Sequence, residues 1–346
     1  MNQIYTYKPL DLTSIELPVS EIALIELLTR RRFITGMGGL LSVAALGACS
    51  SDESSTEATT ITSTTRTITH AFGETEVPLN PQRVVTLDAF FTLTPLIELN
   101  VPVVGSVSLG SDTPFPGLSS AEQEIITSVG MSEPNLETIA ALNPDLIIAV
   151  DWVDPQYEEL SQIAPTVVIK TMFDWKAQHR RLGEITGRLD AANEGITRYE
   201  ERVASLRDKY ITSTTVSVLS LSNEAIFPIG PKAWSPIKIL DEVGIQRPPD
   251  EIVEGDDEVF LPISVELWPE IAGDVLLYTA GYPGMDDATA QAVAEALNNP
   301  IWQQIPAVQN GRAYQVDSRC WETFGGLRSA NCVLDEIDTF ILNEQD

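Results

Sequence analysis

Few side chains in this sequence are suited to catalysis or to direct metal binding. The chain has two histidines, His70 and His179, and they form no metal-ligand spacing with other residues. The sequence also lacks a Ser–His–Asp arrangement, a glycine-rich phosphate loop and a metal-hydrolase motif. We therefore expect no catalytic residues, no metal ligands and no intrinsic cofactor, and we disfavour a receptor for bare zinc or manganese.

Side chains that can bind a large anionic molecule are more prominent. The six tryptophans offer aromatic faces, and arginines offer paired donors to anionic oxygens. Because the net charge is −29, an anionic ligand would be repelled unless its site is locally positive. The ligand-binding candidates are Trp152, Trp234, Tyr282, Trp321, Arg328 and Arg180, with Arg181 and Arg319 as further weaker choices.

Several of these candidates have a structural alternative. Trp152, Trp234 and Trp321 follow predicted strands, but tryptophan is usually well buried, so core packing is an equal possibility for each. Trp268 and Trp302 lie inside apolar helical segments, where core packing is the better interpretation. Arginines on helices are mostly solvated, which is the alternative for the arginine candidates.

Cys49 follows a segment with the features of an export signal. Arg30–Arg32 precede an apolar run of small residues that begins at Gly36 and ends in Leu-Gly-Ala-Cys. The run is too short to span a bilayer, which needs about 20 apolar residues. Leu-Gly-Ala-Cys resembles a bacterial lipobox, so we expect cleavage after Ala48 and acylation of Cys49. An ordinary secretory signal with an incidental cysteine is the alternative.

The export route and the start of the chain remain open from the sequence. Thr29–Ile34 resembles a twin-arginine signal, which exports folded proteins, but its arginines also suit the general route. The long segment before Thr29 leaves the true start codon uncertain. Ser50–Thr65 is rich in Ser, Thr and Glu without apolar periodicity, which is typical of a flexible tether.

The acidic composition limits the classes of partner. A net charge of −29 argues against nucleic acid, whose phosphates require lysine and arginine. It also leaves no polybasic membrane contact, so acyl chains must provide the anchor. Cys320 and Cys332 can pair in an oxidising compartment, but a chain of this size does not need such a bond, and we slightly favour two small buried thiols.

Apolar β-branched runs alternate with amphipathic segments through the rest of the chain, which predicts parallel sheets covered on both faces. Strands are predicted at 83–87, 101–105, 145–150, 166–169, 215–221, 275–278 and 313–316. Helices are predicted at 93–99, 135–142, 234–243, 265–271, 287–298 and 329–342. From Trp175 to about Tyr210, the spacing predicts either one long helix or two helices joined near Gly187–Asp190.

This pattern predicts a signal peptide and tether followed by two α/β lobes and a helical linker. Ligands of such folds bind at the carboxyl ends of the strands, between the lobes. The expected segments are a signal peptide at 1–48, a lipidated tether at 49–65, an N-terminal lobe at 66–174, a linker helix at 175–211 and a C-terminal lobe at 212–346.

Three segments together resemble the substrate-binding lipoproteins of ABC importers for ferric siderophores and cobalamin. They are 69–85, 133–147 and 300–314, and the third continues to Gly325-Gly326 and Leu334-Asp335. The resemblance implies two Rossmann-like lobes joined by a long rigid helix, and a ferric siderophore of the hydroxamate or citrate type as the ligand. Arg328 stands where the related pattern often has an apolar residue, which favours it as a ligand contact.

The resemblance also implies an ABC permease as the partner. In this family, one surface glutamate on each lobe pairs with permease arginines, and the matching positions are Glu137 and Glu266. Each begins or lies early in a predicted helix, so a favourable interaction with the helix dipole is the alternative. We expect an exported monomer, lipid-anchored and facing the periplasm or the exterior. Other possibilities are a cobalamin or haem receptor, an exported enzyme on the same scaffold, and a structural envelope lipoprotein.

Overall fold

The computed structural model describes residues 64–342, apart from 111–113, 116, 132, 152–155, 171–173, 211–212, 222–225, 229–234, 249–263, 282–286 and 323–325. The predicted signal peptide, most of the tether and Cys49 therefore lie outside the described residues, as do Trp152, Trp234 and Tyr282.

The N-terminal lobe consists of a hairpin and a five-stranded parallel sheet. The hairpin pairs β1 (Thr65–His70) with β2 (Gly73–Pro78) in antiparallel register. The sheet has the order β5-β4-β3-β6-β7. Its strands are β3 (Val84–Thr86), β4 (Val103–Ser106), β5 (Thr127–Ser128), β6 (Leu146–Val150) and β7 (Thr166–Ile169). The connecting helices are α1 (Leu93–Glu98), α2 (Ser120–Glu124), α3 (Leu136–Ala141) and α4 (Tyr157–Ile163).

Strand β6 illustrates why this sheet is covered on both faces. All five of its residues are fully buried. Leu146, Ile148 and Val150 belong to one apolar cluster, whereas Ile147 and Ala149 belong to a second cluster. Because successive strand side chains point to opposite faces, each cluster fills one side of the sheet.

The C-terminal lobe contains a four-stranded sheet with the order β11-β10-β8-β9. Its strands are β8 (Val216–Leu221), β9 (Ile226–Pro228), β10 (Val275–Ala280) and β11 (Ala313–Gln315). Strand β9 pairs antiparallel with β8, and the other pairs are parallel. Its α-helices are α7 (Ser235–Val243), α8 (Trp268–Ile271), α9 (Asp287–Leu297), α10 (Pro306–Gln309), α11 (Ser318–Trp321) and α12 (Leu327–Ile337). Short 3-10 helices cover Val265–Leu267 and Trp302–Gln304, and a π-helical turn covers Asp338–Leu342.

Two helices, not one, connect the lobes. They are α5 (Trp175–Thr186) and α6 (Leu189–Lys209), and the break between them contains Gly187 in the left-handed conformation, with φ of 72°. A side chain at this position would also collide with Leu79, because a Cβ there would lie 2.4 Å from its carbonyl oxygen. Of the two alternatives left open by the sequence, the structure therefore has the broken helix.

Helix α6 is the longer of the two and contributes to both cores. Ala192, near its start, belongs to an apolar cluster of the N-terminal lobe. Further along, Ile196, Tyr199, Val203 and Leu206 belong to the main cluster of the C-terminal lobe. At a rise of about 1.5 Å per residue, a helix of this length extends about 30 Å. A single element is therefore packed into both lobes.

Cys320 and Cys332 form a disulfide between α11 and α12, with a Cα–Cα distance of 5.9 Å. The preference for two free thiols was therefore wrong. That preference considered only the size of the chain, whereas the packing of α11 against α12 brings the two cysteines together. The disulfide attaches α12 to the end of α11.

Candidate functional site

A cavity of about 400 Å³ lies between the two lobes, with walls from both. The N-terminal lobe contributes residues after β3 and at α1 and α2, and the C-terminal lobe contributes residues from α11, α12 and the segment before them. The lining residues include Ala89, Phe90, Thr94, Leu118, Ser119 and Glu122 on one side, and Asp317, Arg319, Cys320, Arg328, Ser329 and Cys332 on the other. The site therefore lies between the lobes, beyond the carboxyl ends of β3 and β11, as the strand pattern predicted.

Arg328 lies on the cavity wall and bridges the two lobes. Its Nη1 is 3.0 Å from Oε2 of Glu122, and its Nη2 is 2.6 Å from Oε1 of the same carboxylate. Glu122 also accepts hydrogen bonds from the backbone N–H and the hydroxyl of Ser119, which completes a capping box at the start of α2. The hydrogen bonds from Arg328 and Ser119 lower the pKa of Glu122 to about 2, so Glu122 is ionised at neutral pH.

A second carboxylate, Glu98, binds the backbone at the start of α12. The N–H groups of Leu327 and Arg328 donate to its two oxygens at 2.9 and 2.8 Å. The Glu98 side chain is 4% exposed, and burial raises its pKa to about 7. Gly326 permits this approach, because its φ is +144° and a Cβ there would lie 3.2 Å from Oε1 of Glu98.

Arg319 is the second basic residue of the cavity. Its Nε is 2.9 and 3.0 Å from the two carboxylate oxygens of Asp317. Asp317 also caps α11 by accepting the backbone N–H of Arg319. The disulfide between Cys320 and Cys332 lies in the same wall. Each cavity arginine thus lies in the first turn of a helix, and each is paired with a carboxylate.

Trp321 does not face the cavity, contrary to the prediction. Its side chain is completely buried in the main apolar cluster of the C-terminal lobe. Its indole Nε1 donates to Oε2 of Glu336 on α12 at 2.5 Å. Trp321 does follow a strand, but it ends the one-turn helix α11 and points into the core. It has no exposed surface with which to contact a ligand.

The other predicted side chains in the described residues also lie away from the cavity lining. Arg180 is exposed on α5 and donates to Asn193 on α6 at 3.2 Å. Arg181 donates to Glu184 on its own helix. Trp268 and Trp302 are buried and pack edge to face with ring centroids 6.3 Å apart, which confirms core packing for both.

Glu137 and Glu266 are both exposed and occupy corresponding places in the two lobes. Glu137 lies in the first turn of α3, and Glu266 lies in the 3-10 helix that precedes α8. The same number of residues separates Glu137 from Asp145 and Glu266 from Asp274. A hydrogen bond from Ser264 lowers the pKa of Glu266.

The two aspartates have matching roles, which supports the correspondence. Asp145 accepts the backbone N–H groups of Gln82 and Arg83, immediately before β3. Asp274 accepts the backbone N–H of Thr215, immediately before β8, at 2.8 Å. Asp145 immediately precedes β6, which pairs in parallel with β3, and Asp274 immediately precedes β10, which pairs in parallel with β8. The two helix–strand units are therefore built alike.

Both histidines have structural positions. His70 Nε2 is 2.8 Å from the Thr75 hydroxyl within the hairpin. His179 is buried on α5, where Nδ1 is 3.7 Å from Oε2 of Glu98, and burial lowers its pKa to about 4. Among the described residues, one group of three potential metal ligands consists of Asp317, Cys320 and Cys332. Its two cysteines are joined in the disulfide, so they offer no thiolates.

Three buried or half-buried glutamates near the lobe boundary were not predicted from the sequence. Glu122 had a readable signal, since Ser119-x-x-Glu122 is a capping-box pattern. Glu98 had none, because its partners are about 230 residues away in the chain. Glu322 is buried at the carboxyl ends of β8 and β10 and accepts hydrogen bonds from Ser220 and Thr279. Burial raises the pKa of Glu322.

Within the part of the chain that the structure describes, no helix is both long and apolar enough to cross a bilayer.

Two bacterial binding proteins illustrate what the chain is similar to in sequence. The probable siderophore-binding lipoprotein YfiY of Bacillus subtilis is 32% identical over 314 residues, which cover 88% of this chain and 96% of the relative. The iron(3+)-hydroxamate-binding protein FhuD of the same organism is 25% identical over 288 residues, covering 80% and 88% of the two chains.

The fold is similar to that of a solved structure, and the sequence matches a family profile. The crystal structure of Staphylococcus aureus SirA complexed with staphyloferrin B has a TM-score of 0.67 and 27% identity, covering 80% of this chain and 98% of SirA. The profile of the family described as periplasmic binding protein matches residues 108–320. With its two α/β lobes, interlobe cavity and bridging helices, the chain belongs to the periplasmic binding protein family.

Proposed function

We propose that this chain is the substrate-binding component of an ABC importer and that it captures a ferric siderophore in the interlobe cavity. The observation that carries the proposal is the placement of Arg328 and Arg319 on the cavity wall of a protein with a net charge of −29. Arginine offers paired donors to anionic oxygens, so two arginines in one wall suit the outer oxygens of an anionic iron chelate. The names of the relatives YfiY and FhuD support this class of ligand.

A chelate suits the cavity better than bare ferric iron. Direct binding of this hard cation requires several oxygen or nitrogen ligands that are free to converge on it. The cavity carboxylates Glu122 and Asp317 are instead each paired with an arginine. A siderophore supplies all the iron ligands itself, so the protein needs only to bind the outer surface of the complex.

Arg328 and Arg319 are the proposed ligand contacts among the described residues. Trp152, Trp234 and Tyr282 are proposed as further contacts on the sequence pattern alone. We leave out Trp321, which is buried, and Arg180, which lies outside the cavity lining. The proposed role is transport, and it requires neither a catalytic group nor a resident cofactor.

The ligand is tested by titrating the purified protein with ferric hydroxamate and ferric citrate siderophores while recording intrinsic tryptophan fluorescence and heat release. We expect saturable one-to-one binding of at least one ferric complex and no response to the same chelator without iron. Cobalamin and haem belong in the panel, because binding of either in place of ferric siderophores would establish the alternative receptor. Absence of binding to every ferric siderophore would contradict the proposal.

We further propose that Glu137 and Glu266 dock the protein on its permease by pairing with arginines. Both are exposed and lie at corresponding places in similarly built units of the two lobes. Ion pairs between complementary surfaces mainly determine orientation and specificity, so ligand binding should not depend on them.

The docking role is tested with the double variant Glu137→Lys/Glu266→Lys in cells that depend on this importer. We expect loss of siderophore uptake with unchanged ligand affinity of the purified protein. A matched control, Glu158→Lys/Glu295→Lys, makes the same charge change at one exposed glutamate in each lobe. Equal uptake by the two double variants would exclude a specific docking role.

We propose export and lipid anchoring through Cys49, which agrees with the lipoprotein name of the relative YfiY. Cys49→Ala should prevent incorporation of labelled palmitate and release the protein from the membrane fraction. Continued palmitate incorporation by this variant would place the modification elsewhere.

A further inference from the structure

We infer that Glu122 is a specificity-determining residue, which pairs with Arg328 and gives way to a carboxylate on the bound iron complex. Arg328 would then favour ferric siderophores that expose a carboxylate over neutral ferric hydroxamates, and Glu122 would reduce that preference by competing for the arginine. This inference rests on the proposed function and narrows the class of substrate.

Arg328 binds Glu122 with the geometry in which an arginine would bind the carboxylate of a ligand. The planar guanidinium meets the two carboxylate oxygens with two parallel hydrogen bonds of 3.0 and 2.6 Å. Arginine is the side chain best suited to this two-point binding of carboxylates. Glu122 therefore satisfies the hydrogen-bond donors of Arg328 in the way that a ligand carboxylate would.

The pair is accessible from the cavity and connects opposite walls. Glu122 is on α2 of the N-terminal lobe, and Arg328 is on α12 of the C-terminal lobe. Their side chains are 24% and 44% exposed. Exposed ion pairs are weak because water solvates the separated charges well. A ligand that enters between the lobes can thus replace Glu122 without separating two buried charges.

Arg328 and Glu122 each keep other hydrogen bonds when the pair separates. The backbone of Arg328 is held by Glu98, which binds the N–H groups of Leu327 and Arg328 independently of Glu122. Glu122 keeps the hydrogen bonds from Ser119, whose N–H and hydroxyl lie 2.9 and 2.8 Å from Oε2. The arginine side chain can therefore change partner while α2 and α12 remain in place.

A charge preference follows from this exchange. A ligand carboxylate restores the two hydrogen bonds of Arg328, so the exchange loses little. A neutral complex offers no replacement and leaves Glu122 on the arginine. Glu122 therefore lowers the affinity of carboxylate ligands by competing with them for Arg328, and it does not affect a neutral ligand that leaves the pair intact.

The test measures the dissociation constants of ferric citrate and of a neutral ferric trihydroxamate for the wild-type protein, Glu122→Gln and Glu124→Gln. Glutamine keeps the capping-box hydrogen bond but competes poorly for arginine. We expect Glu122→Gln to bind ferric citrate about threefold to tenfold more tightly, with an unchanged constant for the neutral complex. Arg328→Lys should weaken ferric citrate binding, because lysine offers no planar fork.

Glu124 is exposed on the same helix, so Glu124→Gln removes a neighbouring charge without touching the pair. An equal gain in this control would indicate a general charge effect and overturn the inference. Unchanged or weaker ferric citrate binding by Glu122→Gln would also overturn it, while binding of any ferric siderophore by the wild type would leave the proposed function intact. If the wild type binds none, the proposed function fails and the inference fails with it.

Discussion

The start of α12 contacts two carboxylates of the opposite lobe, and their environments differ sharply. Glu98 is buried and binds the helix backbone, whereas Glu122 is partly exposed and binds the side chain of Arg328. Burial raises the pKa of Glu98 to about 7, and the hydrogen bonds from Arg328 help to lower the pKa of Glu122 to about 2. The same chemical group thus acts as a fixed attachment in one place and as an exchangeable partner in the other.

Among the changes considered for these two carboxylates, replacement of Glu98 should lower the free energy of unfolding the most. Glu98→Ala removes the acceptor of the N–H groups of Leu327 and Arg328, and it leaves a cavity in place of a buried side chain. We expect a loss of about 3 kcal/mol in the free energy of unfolding near pH 6, measured by urea denaturation. Glu98→Gln retains one acceptor oxygen and should lie between the wild type and the alanine variant. A loss as small as that of Glu122→Gln would show that Glu98 is not the main attachment of α12.

The buried position of Glu98 also predicts that the free energy of unfolding changes with pH. This change should be smaller than the loss in Glu98→Ala and larger than that in Glu122→Gln. Its pKa is about 7 in the folded protein and 4.5 as an ordinary value, so the folded state binds more protons between these limits. Stability contributed by Glu98 therefore falls as the pH rises. The stability of the wild type relative to Glu98→Gln should decrease by about 2 kcal/mol between about pH 5 and pH 7.

The groups that face Glu98 do not reverse this sign. His179 has a pKa lowered to about 4 by burial and stays neutral through the range, while Arg328 and Glu122 stay charged. Urea titrations of both proteins across the range measure the effect. A difference that is constant, or that grows with pH, would mean that Glu98 is ionised throughout.

The smallest effect on stability is expected at Glu122. Glu122→Gln weakens one partly exposed ion pair and keeps the cap of α2, so the free energy of unfolding should change by less than about 1 kcal/mol. The same urea titration measures it, beside Glu124→Gln as the control. A larger loss would make the pair a structural attachment like Glu98 and would remove the distinction between the two carboxylates.

The strands and the bridging helices were largely predictable because their residues carry local signals. The apolar run of Leu146–Val150 is buried on both faces as predicted, and Gly187 marks the break between α5 and α6. Strand β9 (Ile226–Pro228) was missed, since it has three residues and ends in a proline. Its antiparallel pairing with β8 depends on contacts that the local pattern does not contain.

The site was predictable only in part. Arg328 was singled out because it stands where the related pattern often has an apolar residue, and the structure places it on the cavity wall. Trp321 was wrongly predicted to face the cavity. Its helix has only one turn, so the sequence contains no apolar periodicity that would show which side of the helix is buried. Glu98 was missed because its partner Leu327 is 229 residues away along the chain. Contacts between lobes are therefore the part of the site that sequence patterns describe least.

The disulfide between Cys320 and Cys332 bears on how the protein matures. The fold itself brings the two cysteines to adjacent helices, and both contribute to the cavity wall. Oxidation therefore does not require the chain to unfold. A protein that crosses the membrane already folded, as the twin-arginine pattern suggests, can acquire this bond afterwards in an oxidising compartment. The covalent bond in the cavity wall would then form only after the protein has reached that compartment.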